Sequence, residues 1–385
     1  MTENRSLQSV LEEHFKWFHR HPELSLEERA TTDHIGEILR SADVEILDTG
    51  LDTGLVAQVR GGPGKDGPTV ALRADIDALP ILEDSGLPYS SENEGRMHAC
   101  GHDFHVAALI GASILLKERT PRLAGNVRLI FQPAEEGAGG AALVIGHGAL
   151  DGVREIYGLH VSADLEPGVV AIRAGADHSA VDSFTVYLRG KGGHAALPHR
   201  CADTITALAQ FVSTAQSVVS RNVDPFDNAV LSVTHVCSGN TWNVIPDEAF
   251  AEGTIRTLNR ATRELVLARL SEIAAGVAGA AGVEATVETK NRCPATDNAP
   301  ELVEFVTRVA EALGMPVVPC VPDMSGEDFA LYQERVRGIF FSLGVGSPRP
   351  IHNSAFIANP APLESAANLM ATLAEKSLER LSGQN

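Results

Sequence analysis

The stretch HACGHDFHVAALIGAS, residues 98–113, sets His98, Cys100, His102 and His105 beside Asp103 within eight positions and then becomes an apolar, alanine-rich run. A run of that composition predicts a helix, so the donors gather at its amino terminus. In an open parallel sheet, helix amino termini and the carboxyl ends of strands converge on one edge, where ligands bind. This segment therefore links the fold class to a site, and the rest of the chain shows what can meet it.

Working outward, a helix is expected from about Ser6 to Arg20, and Ser25 can cap a second helix with Glu28 three residues on. LVAQVRG, PTVALRA, NVRLIFQPA and REIYGLHV read as strands, and DFHVAALIGASILLKER as a helix among them. The alternation predicts an α/β fold with a mostly parallel sheet and helices on both faces. From about Ser183 the order becomes strand, helix, strand, strand, helix, strand, the split pattern of an α+β ferredoxin-like unit. It reads as an insertion at 182–293 between the two parts of a first domain, 1–181 and 294–385. A chain of 385 residues exceeds one ordinary core, which agrees with two domains.

The balance of 31 basic against 50 acidic residues, net −19, argues against nucleic acid or an anionic membrane surface as partner. Five cysteines, Cys100, Cys201, Cys237, Cys293 and Cys320, are scattered without a CxxC pair, so no disulfide framework is expected. Apart from Cys100 they read as buried small hydrophobes. The opening MTENRSLQSVLEEHF has no signal-type apolar segment, and no run of about 18 apolar residues follows. The reading is a cytoplasmic protein with reduced thiols.

The candidate ligands share one feature of placement. Asp75 and Asp77 follow TVALRA, Glu135 and Glu136 follow VRLIFQPA, His160 ends EIYGLH, and His352 follows FFSLGVG after a short loop. All are strand ends, so all can reach the edge occupied by Cys100 and His102. A thiolate at a helix amino terminus is favoured by the dipole, and a divalent cation would favour it further. Thiolate, imidazole and carboxylate together suit Zn²⁺ best, with Mn²⁺, Co²⁺ and Ni²⁺ as alternatives. Cys100, His102, Glu136, His160 and His352 exceed one tetrahedral site and suffice for two metals if one ligand bridges; a thiolate can bridge and a neutral imidazole cannot, which favours Cys100. With Glu136 on metal, Glu135 can act as general base on an attacking water and then protonate a leaving amine. The chemistry expected is hydrolysis of an amide.

RADIDALP, MHACGHDFHVAALIGA, FQPAEEG, YGLHV, GKGGHAALPH, NVIPDEAFAEGTIRT, MSGEDF and the HPELS segment, in this order over nearly the whole chain, resemble the M20 metallopeptidase family. The likeness is to its amidohydrolase branch of hippurate hydrolases, aminoacylases and auxin-conjugate hydrolases. The resemblance implies metal ligation by Cys100, His102, Glu136, His160 and His352, with Glu135 as the base. It implies that the inserted unit is a lid and the dimerisation surface of a homodimer. His194 of GGHAALPH resembles a histidine that reaches a neighbouring subunit's site to stabilise the oxyanion. Asn243 and Arg256 resemble residues that contact the substrate carboxylate or carbonyl. The wider family carries His-x-Asp where this chain has Asp75-Ile76-Asp77, so Asp75 and Asp77 are given supporting roles.

His98, His105, His178, His199 and His235 are read as structural or solvated, since histidine often only satisfies a local hydrogen bond. The substrate expected is a small N-acyl amino acid. An N-carbamoyl amino-acid or dipeptide hydrolase is the nearest alternative. A metal-dependent binding protein without catalysis would need neither Glu135 nor His194.

Overall fold

A computed structural model of the chain describes residues 5–62, 67–137 and 139–383. It divides into two compact units, one comprising residues up to Gly175 with Asp297–Val321 and the segment from Asp328 onward, the other Ala176–Thr296 with Pro322–Glu327.

The first unit is built on an eight-stranded sheet among the described residues. Its order is Glu45–Leu47, Leu55–Val59, Asn126–Gln132, Thr69–Asp75, Val153–Ser162, Arg337–Gly344, Val170–Ile172 and Val317–Pro319. The four central strands, from Asn126–Gln132 to Arg337–Gly344, run parallel, as does the last pair. Glu45–Leu47, Leu55–Val59 and Val170–Ile172 pair antiparallel with their inner neighbours, so the sheet is mixed at its margins. Strands of three residues carry too little alternation to read from sequence.

The parallel centre explains the near-continuous apolar runs of these strands. In Thr69–Asp75, Val70, Leu72 and Ala74 enter the main core while Ala71 enters a second core on the opposite face. Helices Leu7–Arg20, His102–Glu118 and Leu363–Ser382 supply the main core, the first through Leu11, Phe15 and Phe18 at helical spacing. Ser6 caps that first helix by accepting the Ser9 N–H. Helix His102–Glu118 is buried on almost every side, consistent with its apolar run. No helix among the described residues is long and apolar enough to cross a membrane.

The second helix departs from expectation. It spans Arg29–Ser41 with no side-chain cap from Glu28, and Ser25 does not cap it. The Ser25 hydroxyl donates instead to Asp77 Oδ2 at 2.6 Å, and the Ala30 and Thr31 amides are taken by the Glu23 carboxylate. The Glu23 carboxylate already accepts from the first amides of the helix, so the Ser25 hydroxyl is left to donate to a buried charged acceptor.

The second unit is a four-stranded antiparallel sheet, ordered Ala229–Ser238, Glu248–Thr257, Ala180–Arg189, Glu284–Cys293. Helices Thr204–Asn222 and Arg260–Ala281 bury one face through Phe211, Val218, Val266 and Leu270. They are capped by Asp203 and Asn259, each accepting two backbone amides. Residues Pro322–Glu327 join this unit through the Asp323 amide on the Asp177 carbonyl and the Ser179 hydroxyl on the Met324 carbonyl.

Candidate metal centre

Because the central strands are parallel, their carboxyl ends emerge together. Asp75 ends one strand in register with Gln132 of the next, and His160 pairs with Ser342 of a third. The Glu135–Glu136 turn follows Gln132 by three residues. His102 opens the helix His102–Glu118, and Cys100 stands just before it, across Gly101 at φ +85°.

The turn carrying the two glutamates is held by buried acids. Asp77, 1 % exposed, accepts the Glu135 amide on Oδ1 (3.0 Å) and the Glu136 amide on Oδ2 (3.1 Å), and Glu28 accepts the Ala134 amide at 2.8 Å. Ala134 and His352 are non-glycine residues at positive φ, +56° and +61°. Such conformations cost of order 1–3 kcal/mol each and persist where surrounding contacts over-determine them. At His352 one such contact is its amide on the Ala99 carbonyl, 2.7 Å.

The side chains meet at Cys100. Its Sγ lies 3.3 Å from His160 Nε2 and 3.3 Å from His352 Nε2, and His352 Nε2 lies 3.2 Å from Glu136 Oε1. Donor atoms of Cys100, His102 and His160 fall within 4.8 Å of one another, as do those of Cys100, Glu136 and His352, and those of His102, Glu135 and Glu136. Orientation agrees with ligation. His102 Nδ1 faces the Asp77 carbonyl (2.8 Å) and His160 Nδ1 the Val161 carbonyl (2.8 Å). Both therefore carry their proton on Nδ1 in the neutral form and present Nε2.

Electrostatics add a second line. Burial works against the charge of Asp75, yet His102, Arg73 and His105 together hold it well below the usual carboxylate range. His102 rises well above its ordinary value against its own burial, through Asp75, Cys100 and Asp77. Burial pushes the Cys100 thiol well up and His160 well down, whereas the adjacent Glu136 carboxylate raises His352. For Cys100, burial outweighs the helix dipole, so the thiol keeps its proton until a cation displaces it.

Two buried atoms here make no well-formed hydrogen bond, His102 Nε2 and Glu136 Oε1, the latter meeting only the His352 ring in an ion-pair contact at 3.2 Å. Orphaned acceptors beside a thiol and two further imidazoles are what divalent cations would satisfy, so the residues present fit a metal centre.

The remaining candidates lie elsewhere in the fold. His194 pairs with Val244 in a short two-stranded bridge of the second unit, where the Ala195 amide binds the Asn243 carbonyl at 3.1 Å. Arg256 lies on Glu248–Thr257, its guanidinium engaged by the Thr254 hydroxyl and the Ile255 carbonyl. Among the histidines read as structural, His235 pairs with Glu252 on the surface (2.8 Å) and His199 is exposed. His178 lies 3.6 Å from Asp177, and His98 is buried with neither ring nitrogen hydrogen-bonded. His105 is buried and fully bonded. None of the five cysteines is in a disulfide; Cys293 is buried like Cys100, but Cys237 is exposed and Cys201 and Cys320 intermediate, which corrects their reading as buried residues.

Sequence reasoning passed over Arg73. It is 1 % exposed and bonds Gln132 (2.8 Å), Asp75 (2.8 Å) and Asp328 (3.0 Å). An arginine inside the apolar strand TVALRAD was the available signal, since a buried guanidinium requires acids around it.

Comparison with known proteins decides the family. The model of peptidase family M20/M25/M40 matches residues 71–376. The chain belongs to this family. Among its relatives, the N-acetylcysteine deacetylase of Bacillus subtilis is 43% identical over 364 residues, covering 94% of this chain and 95% of that one. The thermostable carboxypeptidase 2 of Saccharolobus solfataricus is 37% identical over 369 residues, covering 93% of each. A Bacillus subtilis crystal structure described as a dinuclear metal-binding peptidase of the M20 family superposes with a TM-score of 0.89 at 38% identity, over 97% of this chain and 99% of that one. The chain is accordingly a hydrolase of amide bonds in the M20 family, with a metal-binding centre.

Proposed function

We propose that the protein cleaves the amide of N-acyl amino acids, N-acetyl and N-benzoyl compounds among them, to a carboxylate and a free amino acid. The observation that carries this reading is the meeting of two donor groups at Cys100 with Glu135 beside them. Cys100, His102, Glu136, His160 and His352 would hold two divalent cations. Thiolate and imidazole favour Zn²⁺, with Mn²⁺, Co²⁺ and Ni²⁺ as competitors that availability decides. When bound, such ions polarise a carbonyl and acidify water. Glu135, on a turn fixed by Asp77, takes the proton of the attacking water and delivers it to the departing amine. Asp75 and Asp77 keep ligands and turn in place.

For the second unit the proposal is a lid and homodimerisation surface. His194 would hydrogen-bond the oxyanion from a partner subunit, and Asn243 and Arg256 would hold the substrate carboxylate or carbonyl. In support, the Ala196 amide donates to His194 Nδ1 at 3.1 Å, which leaves the neutral ring's proton on Nε2 as an outward donor. Nearby Trp242 is 91% exposed, an apolar surface of the kind that interfaces cover. Five cysteines outside any disulfide support a cytoplasmic setting.

The test is release of free amine, read with ninhydrin, from N-acetyl, N-benzoyl and N-carbamoyl amino acids and dipeptides. Chelator-treated protein is resupplied with Zn²⁺, Mn²⁺ or Co²⁺, and Glu135→Ala is run alongside. Metal should restore turnover of the N-acyl compounds, and the variant should lose about 10²–10⁴-fold while still binding metal. Turnover of dipeptides alone would favour the second reading, a peptidase, to which the carboxypeptidase relative lends weight. Metal uptake without any cleavage would sink both.

A further inference from the structure

Asp75, His102 and His105 bring donor atoms within 4.8 Å of one another and resemble a third metal group, but their bonds exclude it. The Val161 amide reaches His105 Nε2 at 2.9 Å, and an amide can only donate, so that nitrogen's lone pair is occupied. The proton of the neutral ring is then on Nδ1, which donates to Asp75 Oδ1 at 2.6 Å. Asp75 Oδ2 accepts Arg73 Nη1 at 2.8 Å. Both ring nitrogens and both carboxylate oxygens are engaged, leaving no lone pair of His105 for a cation.

We infer that His105 is a positioning residue for the ligands His160 and His102. It follows His102 by three positions on one helix face, its ring 5.4 Å from that of His102 and 4.7 Å from that of His160. The strands Thr69–Asp75 and Val153–Ser162 pair only as far as Arg73 and Gly158, so beyond that register the Val161 amide has lost its strand partner. His105 fills the gap from the helix and ties the Val161 peptide to Asp75. The carbonyl of Val161 takes the Nδ1 proton of His160, so the residue that His105 holds also sets the ring that presents Nε2 at Cys100. On its other side, Asp75 Oδ2 stands 3.6 Å from His102 Nε2. The relay Arg73–Asp75–His105–Val161 thus orients the ligand His160 by hydrogen bonds and reaches His102, 58 positions away in the chain, through the charge of Asp75 alone.

The inference rests on the proposed ligand set, and the test separates the two. Chelator-treated wild type, His105→Phe and His105→Gln are titrated with Co²⁺ against a chromophoric chelator, and the visible spectrum of the bound cobalt is recorded. Phe keeps the ring volume and removes both bonds; Gln restores a donor and an acceptor on one planar group. Phe should weaken cobalt binding about 10–100-fold and alter the spectrum, and Gln should recover most of both. A folded Phe variant with wild-type affinity and spectrum overturns the inference alone. A wild type that takes up no cobalt overturns the ligand set and the inference together. Should Phe not fold, ¹⁵N spectra of histidine-labelled wild type decide: the structure requires His105 protonated on Nδ1 with a strongly deshielded proton, and an Nε2-protonated ring overturns the relay.

Discussion

His19 shows how much a single buried residue can contribute at a distance from the chemistry. It is 2 % exposed and bridges Asp103 Oδ2 (2.7 Å) and Glu83 Oε1 (3.1 Å). Burial opposes its charge, but the two carboxylates prevail and raise it to about 9 from 6.5. A group whose folded value lies above its unfolded one stabilises fully below the unfolded value and loses that contribution as pH climbs through the folded one. Stability from His19 should therefore be complete below about pH 6.5 and gone above about pH 9, at most on the order of 3 kcal/mol. Urea unfolding between pH 6 and 9.5 checks this: the wild type should lose more stability over the window than His19→Gln. Parallel pH profiles would remove His19 as the cause. Asp103, on the first turn of the helix that carries His102, links this pair to the edge of the site.

At the scale of elements, the entry to helix His102–Glu118 is a tight constraint. Gly101 sits at φ +85°, and a Cβ there would come within 2.4 Å of Val161 Cγ2. Gly95, at φ +75°, has nothing within 4 Å of its Cβ position. Gly95→Ala should cost about 1 kcal/mol, the backbone term alone. Gly101→Ala adds a clash in a packed interior and should cost about 2–4 kcal/mol, with weaker metal binding because Val161 must shift. Equal losses in chemical denaturation would show that the clash relaxes freely. The glutamate turn obeys the same logic: its strained Ala134 is held by Glu28 and its next two amides by Asp77. Acids from two distant elements thus shape one loop.

On the scale of the whole molecule, the proposed homodimer through the second unit sets the expected mass. Light scattering should give the mass of two chains of 40.8 kDa, and Trp242→Asp should shift it toward one. A concentration-independent mass of one chain would remove any role for His194 across subunits. Under that result the His194→Ala variant should still hydrolyse N-acyl substrates at the wild-type rate. With a dimer, turnover should fall about 10²-fold, in keeping with loss of one oxyanion donor.

The sequence by itself determined the helices and longer strands, the α/β class with its split α+β insertion, the family, and an inventory of donors at strand ends. These are short-range properties: periodicity, turn residues and motifs act within a dozen positions. Only the tertiary structure decided which donors share an atom's surroundings, which ring nitrogen of His102, His105 and His160 carries a proton, and that the sheet turns antiparallel at its margins. It also decided that Ser25 serves Asp77 rather than its own helix, and that Arg73 is buried among acids as far away as Asp328. The reason is common to all of these. A buried polar group must find its partner somewhere in the fold, and chain closure, rather than neighbouring sequence, settles where that partner lies.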